Sequence, residues 1–349
     1  MKNIRLKKLV LSLCFSTLLL QACAGTRHSM NQTDDSIQAP VIVDKPVEVG
    51  AVVPGGGEVY GPPLPGGENR AATVAAPVST APKLCVALGP GMAKALAEVS
   101  VLDALVRAGL PIHCVVGSEM GAVIGALFAR ANGSANPLAW ELFKLNKSSY
   151  FNFPVFAIRE AKSSGTKLHE VFDGIFRGGK IESLPLQFSA VATDSASGAV
   201  NNLNHGSVSD ALSASVALPG IFDPWQVEGQ DLVSGAISSP LALDAAAALG
   251  ADFIIAVSVM DDVGSTAPGA ERFQHAFAPV RNLLRMQRRD VKEFIQIHLP
   301  NIAYDDFSKQ AEIFAIGKDV AEKEALRIKA DWDAAVAHAA NAPTNTEHP

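Results

Sequence analysis

Five consecutive residues have the spacing of a tight turn that presents a catalytic nucleophile, G-x-S-x-G. Here they read Gly117-Ser118-Glu119-Met120-Gly121, with a glutamate at the central position. Glycines at this spacing let a strand enter a helix sharply and expose the central side chain. The sequence therefore predicts that the turn is kept while its nucleophile is replaced by a carboxylic acid.

The segments around this turn alternate between apolar runs and helical patterns. The run "KLCVALGPG" predicts a first strand, and "MAKALAEVSVLDALVRAGL" predicts a helix that stops at Gly109. A second strand, "PIHCVVGSEMG", leads into the turn, and "AVIGALFARANG" predicts the next helix. Later strands are expected in "LQFSAVAT" and "DFIIAVSV", a hairpin at Ser197-Gly198, and a long final helix interrupted at Gly317. Apolar strands alternating with helices indicate an α/β fold with a mainly parallel sheet covered on both faces.

The amino terminus has the pattern of an export signal. Four basic residues precede an apolar run, Leu9 to Leu20, that is too short to span a membrane. Leu20-Gln21-Ala22-Cys23 is similar to the bacterial lipobox, which implies cleavage after residue 22 and acylation of Cys23. Ala24 in place of an aspartate favours the outer membrane. We predict a lipoprotein of the bacterial envelope, on the periplasmic face rather than the cell surface.

Charge limits the partners of the exported chain. Removing residues 1–22, which carry four basic and no acidic side chains, takes the formal charge from −6 to −10. We therefore expect no nucleic-acid partner and no basic patch that attracts anionic lipid. Membrane contact is assigned to the acyl anchor alone, since several acyl chains hold a protein stably.

Composition divides the chain into four parts. Residues 1–22 are the signal peptide, and residues 23–82 form a lipidated, Pro/Gly-rich flexible tether without sustained periodicity. Residues 83–330 form the folded domain, and residues 331–349 the end of the last helix and a disordered tail.

Two cysteines, Cys85 and Cys114, remain in the folded domain, each inside an apolar run. Two buried free thiols are the favoured interpretation, with a disulfide as the alternative. No CxxC or paired-histidine spacing suggests a metal site, and no cofactor is expected.

Several motifs in order, from Lys83 to about Ala330, resemble the patatin-like phospholipase domain. They are the glycine turn after the first strand, "GSEMGAVIGALFA", "AVATDSASGAV", "ALSASVALPGIFDPW", "LVSGAISSPLALDAAAALGADFIIAV" and "FIQIHLPNIAYDDF". The resemblance implies a three-layer α/β/α fold. It also implies hydrolysis of glycerolipid acyl esters by a Ser-Asp dyad without histidine, with an oxyanion hole in a G-G-G-x-[RK]-G turn.

The sequence departs from all three parts of that machinery. The nucleophile position is Glu119, and the acid of the D-G-[GA] motif falls on Ser234. The oxyanion turn follows Gly89 and reads Pro90-Gly91-Met92-Ala93-Lys94-Ala95, in which Pro90 has no N–H and Met92 adds a side chain where close approach requires none. One lost donor costs roughly two to three orders of magnitude in rate. We therefore do not expect ordinary acyl hydrolysis.

The two dyad positions have exchanged residue classes, which predicts that Glu119 and Ser234 share a hydrogen bond. In the favoured interpretation the serine satisfies a half-buried carboxylate in a dead site. In the alternative, Glu119 is the base for a nucleophilic Ser234, a reversed dyad.

Other polar residues have plainer expected roles. Ser118 is interpreted as a turn residue, and Lys94 as a partner of Glu119 or a solvated side chain. Trp225 is assigned to core packing, with an apolar groove as the alternative. Turn-capping is expected of two aspartates and structural roles of three histidines: Asp194, Asp223, His113, His169 and His205. A pocket shaped by glycines is expected at the carboxyl ends of the first two strands, from Gly89, Gly91, Gly117 and Gly121.

The leading functional hypothesis is a pseudoenzyme that binds a lipid or protein partner at the envelope. The enzymatic alternative is a phospholipase A or lysophospholipase of lipid catabolism with a reversed dyad. The third is a passive envelope scaffold.

Overall fold

The structure, a computed structural model of the 349-residue chain, describes residues 82–135, 142, 163–261, 265–268 and 270–341. The predicted signal peptide, Cys23, all but the last residue of the predicted tether and residues 342–349 lie outside the described residues.

The described residues form one eight-stranded sheet, in the order β5-β6-β3-β2-β1-β7-β8 with β4 paired to β3. Strands β1, β2, β3, β7 and β8 are mutually parallel, whereas β4 and β6 run antiparallel to β3, and β5 antiparallel to β6. The strands are β1 (Leu84–Leu88), β2 (Ile112–Ser118), β3 (Gln187–Asp194), β4 (Val200–Leu203), β5 (Trp225–Val227), β6 (Gln230–Ser234), β7 (Phe253–Ser258) and β8 (Glu293–Gln296).

Helices cover this sheet. They are α1 (Ala97–Arg107), α2 (Met120–Arg130), α3 (Thr166–Phe176), α4 (Val208–Val216), α5 (Leu243–Ala248), α6 (Glu271–Gln287) and α7 (Gln310–Asn341). Short 3₁₀ turns span Met92–Leu96, Ile181–Ser183, Gly235–Ile237, Arg288–Asp290 and Phe307–Lys309. Among the described residues, no helix is both long and apolar enough to cross a membrane.

The predicted α/β architecture with a mainly parallel central sheet is confirmed. All five residues of β1 are buried, as expected of a strand covered on both faces. The hairpin also forms, because β3 and β4 pair antiparallel around Gly198 at φ 74°. The predicted break at Gly317 is wrong, since α7 is continuous there. A Cβ at Gly317 would lie 2.7 Å from the carbonyl oxygen of Ala97, so this glycine allows α7 to approach α1 closely.

The expectation of two free thiols is also corrected. Cys85 and Cys114 are partners in the parallel register of β1 and β2, with Cα atoms 4.6 Å apart, and they form a disulfide. Both residues are buried. The disulfide therefore joins the strand that leads to the glycine turn with the strand that leads to Glu119.

Candidate active site

The turn between β2 and α2 keeps the sharp geometry that its glycines predict. Glu119 stands between the two elements at φ 55° and ψ −123°, a backbone conformation that costs an L-residue about 1–3 kcal/mol. A Cβ at Gly121 would lie 2.4 Å from the carbonyl oxygen of Leu88, and one at Gly117 would lie 2.4 Å from the carbonyl carbon of Gly121. These glycines are required because the backbone segments approach so closely. We call residues 117–121 the elbow.

The Glu119 carboxyl binds the backbone of the glycine turn that follows β1. Its Oε2 accepts hydrogen bonds from the N–H of Gly91 at 2.8 Å and of Met92 at 2.9 Å. Two backbone N–H groups that converge on one oxygen are the arrangement that stabilises the oxyanion of acyl transfer. In this chain a carboxyl oxygen of the protein itself occupies that position.

This geometry changes the interpretation of the oxyanion turn. Met92 adopts φ 48°, which places its N–H beside that of Gly91 while its side chain packs in the core. The turn therefore retains two convergent donors despite Pro90 and the added side chain. The expectation that Met92 obstructs the turn is wrong, because its side chain is buried in the core while its N–H still donates to Glu119.

Burial and hydrogen bonding act in opposite directions on the pKa of Glu119. The residue is 2% exposed, and burial raises the pKa of its carboxyl above the usual range. The N–H groups of Gly91, Met92 and Met120 oppose this by stabilising the charged form. The raised pKa shows that the donors offset only part of the cost of burial.

A second buried carboxyl, Glu98 of α1, lies on the same turn. Its Oε1 accepts from the N–H of Gly89 at 3.0 Å, and its Oε2 has no hydrogen-bond partner among the described residues. Burial raises the pKa of Glu98 well above its usual range, and the nearby Glu119 raises it further, whereas the Gly89 N–H lowers it. Two carboxyl groups therefore hold the N–H groups of one turn.

Ser234 is occupied elsewhere. The residue is fully buried, and its Oγ accepts from the N–H of Ala236 at 3.3 Å, capping the 3₁₀ turn Gly235–Ile237. Among the described residues, no hydrogen bond joins the side chains of Glu119 and Ser234. The predicted contact is wrong, because the glutamate satisfies the turn's N–H groups and the serine satisfies its own cap.

Lys94 was expected to contact Glu119 or to lie in solvent, and the structure contradicts both expectations. It is fully buried, with its Nζ 3.5 Å from Oδ2 of Asp261 and 4.6 Å from the centre of the Tyr304 ring. Burial lowers the pKa of Lys94, and Asp261 acts against this. Oδ1 of Asp261 also lies 2.9 Å from Nδ1 of the exposed His298. A buried ion pair therefore stands behind the turn, because helix formation from Met92 onward directs Lys94 inward.

The backbone of the elbow is held by neighbouring hydroxyl groups. The Oγ of Ser118 donates to the carbonyl oxygen of Pro240 at 2.7 Å, which agrees with a turn residue rather than a nucleophile. The Oγ of Ser215 accepts from the N–H of Glu119 at 3.1 Å and donates to the carbonyl oxygen of Val191 at 2.7 Å. Ser215 thus positions Glu119 from β3 and α4.

The structure brings none of the remaining predicted polar residues to the elbow through a hydrogen bond between described residues. Asp194 caps its own turn, accepting from Ser197 N at 2.7 Å. His169 stacks on Trp225 at 4.6 Å, and its Nδ1 lies 3.1 Å from Oγ of Ser213. His113 accepts from Leu84 N at 3.2 Å, His205 contacts Asn204 at 3.0 Å, and the backbone N–H of Asp223 binds Ser163 O at 2.9 Å.

Two cavities lined by described residues lie away from the elbow. One of about 570 Å³ lies at the amino ends of β7 and β8, and one of about 310 Å³ lies between α1 and α7. The pocket expected at the carboxyl ends of β1 and β2 stays a prediction. Within the described part of the chain, no group of three or more His, Cys, Asp or Glu residues could hold a metal ion.

Comparison with known proteins identifies the domain. The sequence profile of the patatin-like phospholipase family matches residues 86–247. An uncharacterized NTE family protein of Mycobacterium tuberculosis is 32% identical over 194 residues, covering 55% of this chain and 53% of that protein. Lysophospholipase nte1 of Aspergillus fumigatus is 33% identical over 183 residues, covering 51% of this chain and 12% of that protein. The chain thus spans about half the length of the mycobacterial relative.

A solved structure is also similar. VipD from Legionella pneumophila superposes with a TM-score of 0.41 at 12% identity, covering 70% of this chain and 67% of VipD. Residues 86–247 thus match the patatin-like phospholipase family, which confirms the resemblance that the sequence motifs predict.

Proposed function

We propose that this protein is a non-hydrolytic member of the family that binds a lipid or protein partner at the bacterial envelope. One observation carries the proposal. The carboxyl oxygen of Glu119 occupies the point on which the N–H groups of Gly91 and Met92 converge. An acyl ester needs that point for its carbonyl oxygen, so the protein's own side chain excludes the reacting group.

The chemistry of the neighbouring groups supports the same conclusion. Glu119 has no nucleophilic hydroxyl or thiol, and the Oγ of Ser118 donates to a backbone carbonyl. Ser234 accepts a capping hydrogen bond and has no base within hydrogen-bond reach among the described residues. A reversed dyad would need Glu119 to take the Ser234 proton, whereas its carboxyl faces the turn instead.

The envelope location is a proposal that the disulfide supports. Structural disulfides persist in oxidising compartments such as the periplasm and are rare in the cytosol. A buried disulfide between Cys85 and Cys114 is therefore consistent with export by the amino-terminal signal. Replacing Cys23 with serine should abolish acylation and release the protein from the membrane fraction. Unchanged detergent partitioning of Cys23→Ser would contradict the lipoprotein assignment.

A two-part assay tests the absence of hydrolysis. The purified mature chain is incubated with mixed glycerolipids and short acyl esters, and mass spectrometry scores both released fatty acid and retained lipid. Lysophospholipids are included because a relative carries that name. We expect no release above buffer and no labelling by a serine-directed fluorophosphonate. Retained lipid would identify the ligand class.

The same assay separates the alternatives. Labelling that disappears in both Ser234→Ala and Glu119→Gln would establish the reversed dyad and contradict the proposal. Ser118→Ala serves as the matched control, because Ser118 is a buried hydroxyl of the elbow that donates to the backbone carbonyl of Pro240.

A further inference from the structure

The end of α6 carries an exposed basic segment. Residues 285–292, which we call the basic turn, contain four basic side chains against one acidic side chain, Asp290. All four basic side chains are exposed: Arg285, Arg288, Arg289 and Lys292. The last turn of α6 and the 3₁₀ turn Arg288–Asp290 place Arg285, Arg288 and Arg289 at i, i+3 and i+4, which is one face of a helix.

The charges of the basic turn are not neutralised by the fold. None of its four basic side chains forms an ion pair with another described residue. Arg285 contacts the amide of Asn282, and Arg288 lies 4.7 Å from the centre of the Phe294 ring. The neighbouring carboxylate of Glu293 is already paired with Arg327 at 2.7 Å. The basic turn therefore presents four exposed cations without an ion-pair partner among the described residues, although Asp244, Asp252 and Asp290 line the same cavity as Lys292.

An apolar side chain stands within this charged surface. Met286 is 64% exposed, between Arg285 and the 3₁₀ turn. Basic residues at the end of a helix also favour its dipole, but an exposed methionine gains nothing from that dipole. Basic side chains interleaved with an exposed apolar one are typical of surfaces that bind the membrane interface.

The basic turn lies at the edge of the sheet where the predicted tether joins the domain. It precedes β8, so it stands at the amino ends of the parallel strands, opposite the elbow at the carboxyl ends of β1 and β2. Lys83, where the predicted tether joins β1, lies at the same edge and donates its N–H to Asp252 at 2.9 Å. Asp252 and Lys292 line the same cavity of about 570 Å³. The tether's point of entry and the basic turn are thus neighbours.

We propose that the basic turn is a contact surface for anionic phospholipid headgroups. Guanidinium groups bind phosphate oxygens in a bidentate manner, and the exposed Met286 enters the headgroup layer. Because the tether joins the domain at this edge, an anchored chain brings the basic turn to the bilayer that holds its acyl chains. The surface is separate from the elbow and serves whether or not the elbow hydrolyses lipid. It corrects the expectation that no basic patch exists, which rested on net charge alone.

Vesicle sedimentation tests this surface. The mature chain with Cys23→Ser, so that acylation cannot supply the binding, is mixed with phosphatidylcholine vesicles with or without phosphatidylglycerol. We expect binding only with phosphatidylglycerol, and loss of that binding at high salt. Each basic residue near an anionic surface contributes about fivefold in affinity, so Arg288→Gln/Arg289→Gln should weaken binding by about 25-fold. The matched control is Lys318→Gln/Lys323→Gln on the exposed face of α7, which should bind as the parent does.

A variant that is expected to bind more strongly distinguishes a loss of headgroup contacts from a loss of folding, because a misfolded protein would not gain binding. Asp290→Asn removes the one acidic side chain of the basic turn and should strengthen binding to phosphatidylglycerol vesicles by about fivefold. Equal binding to both vesicle types would overturn the proposal, as would unchanged binding of Arg288→Gln/Arg289→Gln. Salt-sensitive capture of an acidic protein without any vesicle binding would also overturn it, in favour of a protein partner.

Discussion

The elbow region and the basic turn treat polar groups in opposite ways. Around the elbow, carboxyl groups and N–H groups are buried and nearly all are paired within the protein, as Glu119 is with Gly91 and Met92. At the basic turn, four cationic side chains are exposed and make no ion pair with another described residue. A site that satisfies its own polar groups offers little to a reacting ligand, whereas unpaired exposed charge is available to one. The comparison favours the proposal that this domain binds its partner at the basic turn rather than at the elbow.

The largest expected effect concerns the buried ion pair behind the oxyanion turn. Asp261→Asn leaves the Lys94 ammonium buried without a counter-charge, which costs about 3–5 kcal/mol in the free energy of unfolding. Urea-induced unfolding measures this. His298→Asn removes the other, exposed partner of Asp261 and should cost less than about 1 kcal/mol. Equal losses in the two variants would show that the elbow region does not depend on its buried pairings.

The second-largest loss of stability is expected when the glutamate of the elbow is removed. Glu119→Ala leaves the N–H groups of Gly91 and Met92 buried and unpaired, so we expect a loss of about 2 kcal/mol in the free energy of unfolding. Acetate or formate should fill the vacated position and raise the Tm of this variant but not of the parent. Glu322→Ala on the exposed face of α7 is the control. A carboxylate effect of equal size in that control would refute specific binding at the turn.

The pH dependence of stability tests the second buried carboxyl. Because the pKa of Glu98 is raised, the folded state keeps a proton that the unfolded chain releases above its ordinary pKa of 4.5. The free energy of unfolding therefore falls as pH rises from that value through the raised pKa. Glu98→Gln keeps an acceptor for the Gly89 N–H and cannot ionise, so its Tm should fall less steeply than that of the parent as pH rises above the ordinary pKa of 4.5. Parallel Tm profiles for parent and variant would contradict this assignment.

The smallest effect is expected at the basic turn. Arg288→Gln/Arg289→Gln removes two exposed charges near the end of α6, so the free energy of unfolding should change by less than about 1 kcal/mol. The urea measurement used for the buried pair applies here too. A loss above about 2 kcal/mol would mean that these residues hold the fold together, and the contrast with the elbow region would disappear.

The strands and the elbow were predictable because local patterns determine them. Gly117 and Gly121 indicate a close approach of backbone segments, and apolar runs such as β1 indicate a strand that is buried on both faces. Glu98 was missed although a signal existed. It stands on the helical face of Val101, Leu102 and Leu105, so the apolar periodicity of α1 already placed it in the core.

Other features depend on tertiary pairing that no local pattern encodes. The disulfide required the register that aligns Cys85 with Cys114, and the ion pair joins Lys94 to a residue 167 positions away. The exchange of classes between Glu119 and Ser234 suggested a contact, but it gave no information on the competing N–H donors of the turn. The four basic residues of the basic turn are close together in the sequence. The sequence analysis did not predict a basic patch because it used the net charge, which averages over the whole chain.

Glu119, whose side chain binds the backbone N–H groups of the oxyanion turn, belongs to the same covalent chain as those N–H groups. A group held in place in this way competes at an effective concentration far above that of any free molecule, reaching about 10⁵ M or more in well-oriented cases. A fatty-acid carboxylate with the same intrinsic affinity for Gly91 and Met92 would be excluded by mass action at any concentration that lipid solubility allows. The covalent connection of Glu119 to the turn, rather than a high intrinsic affinity, thus keeps a ligand out, and we expect a single substitution at Glu119 to make the N–H groups of Gly91 and Met92 available.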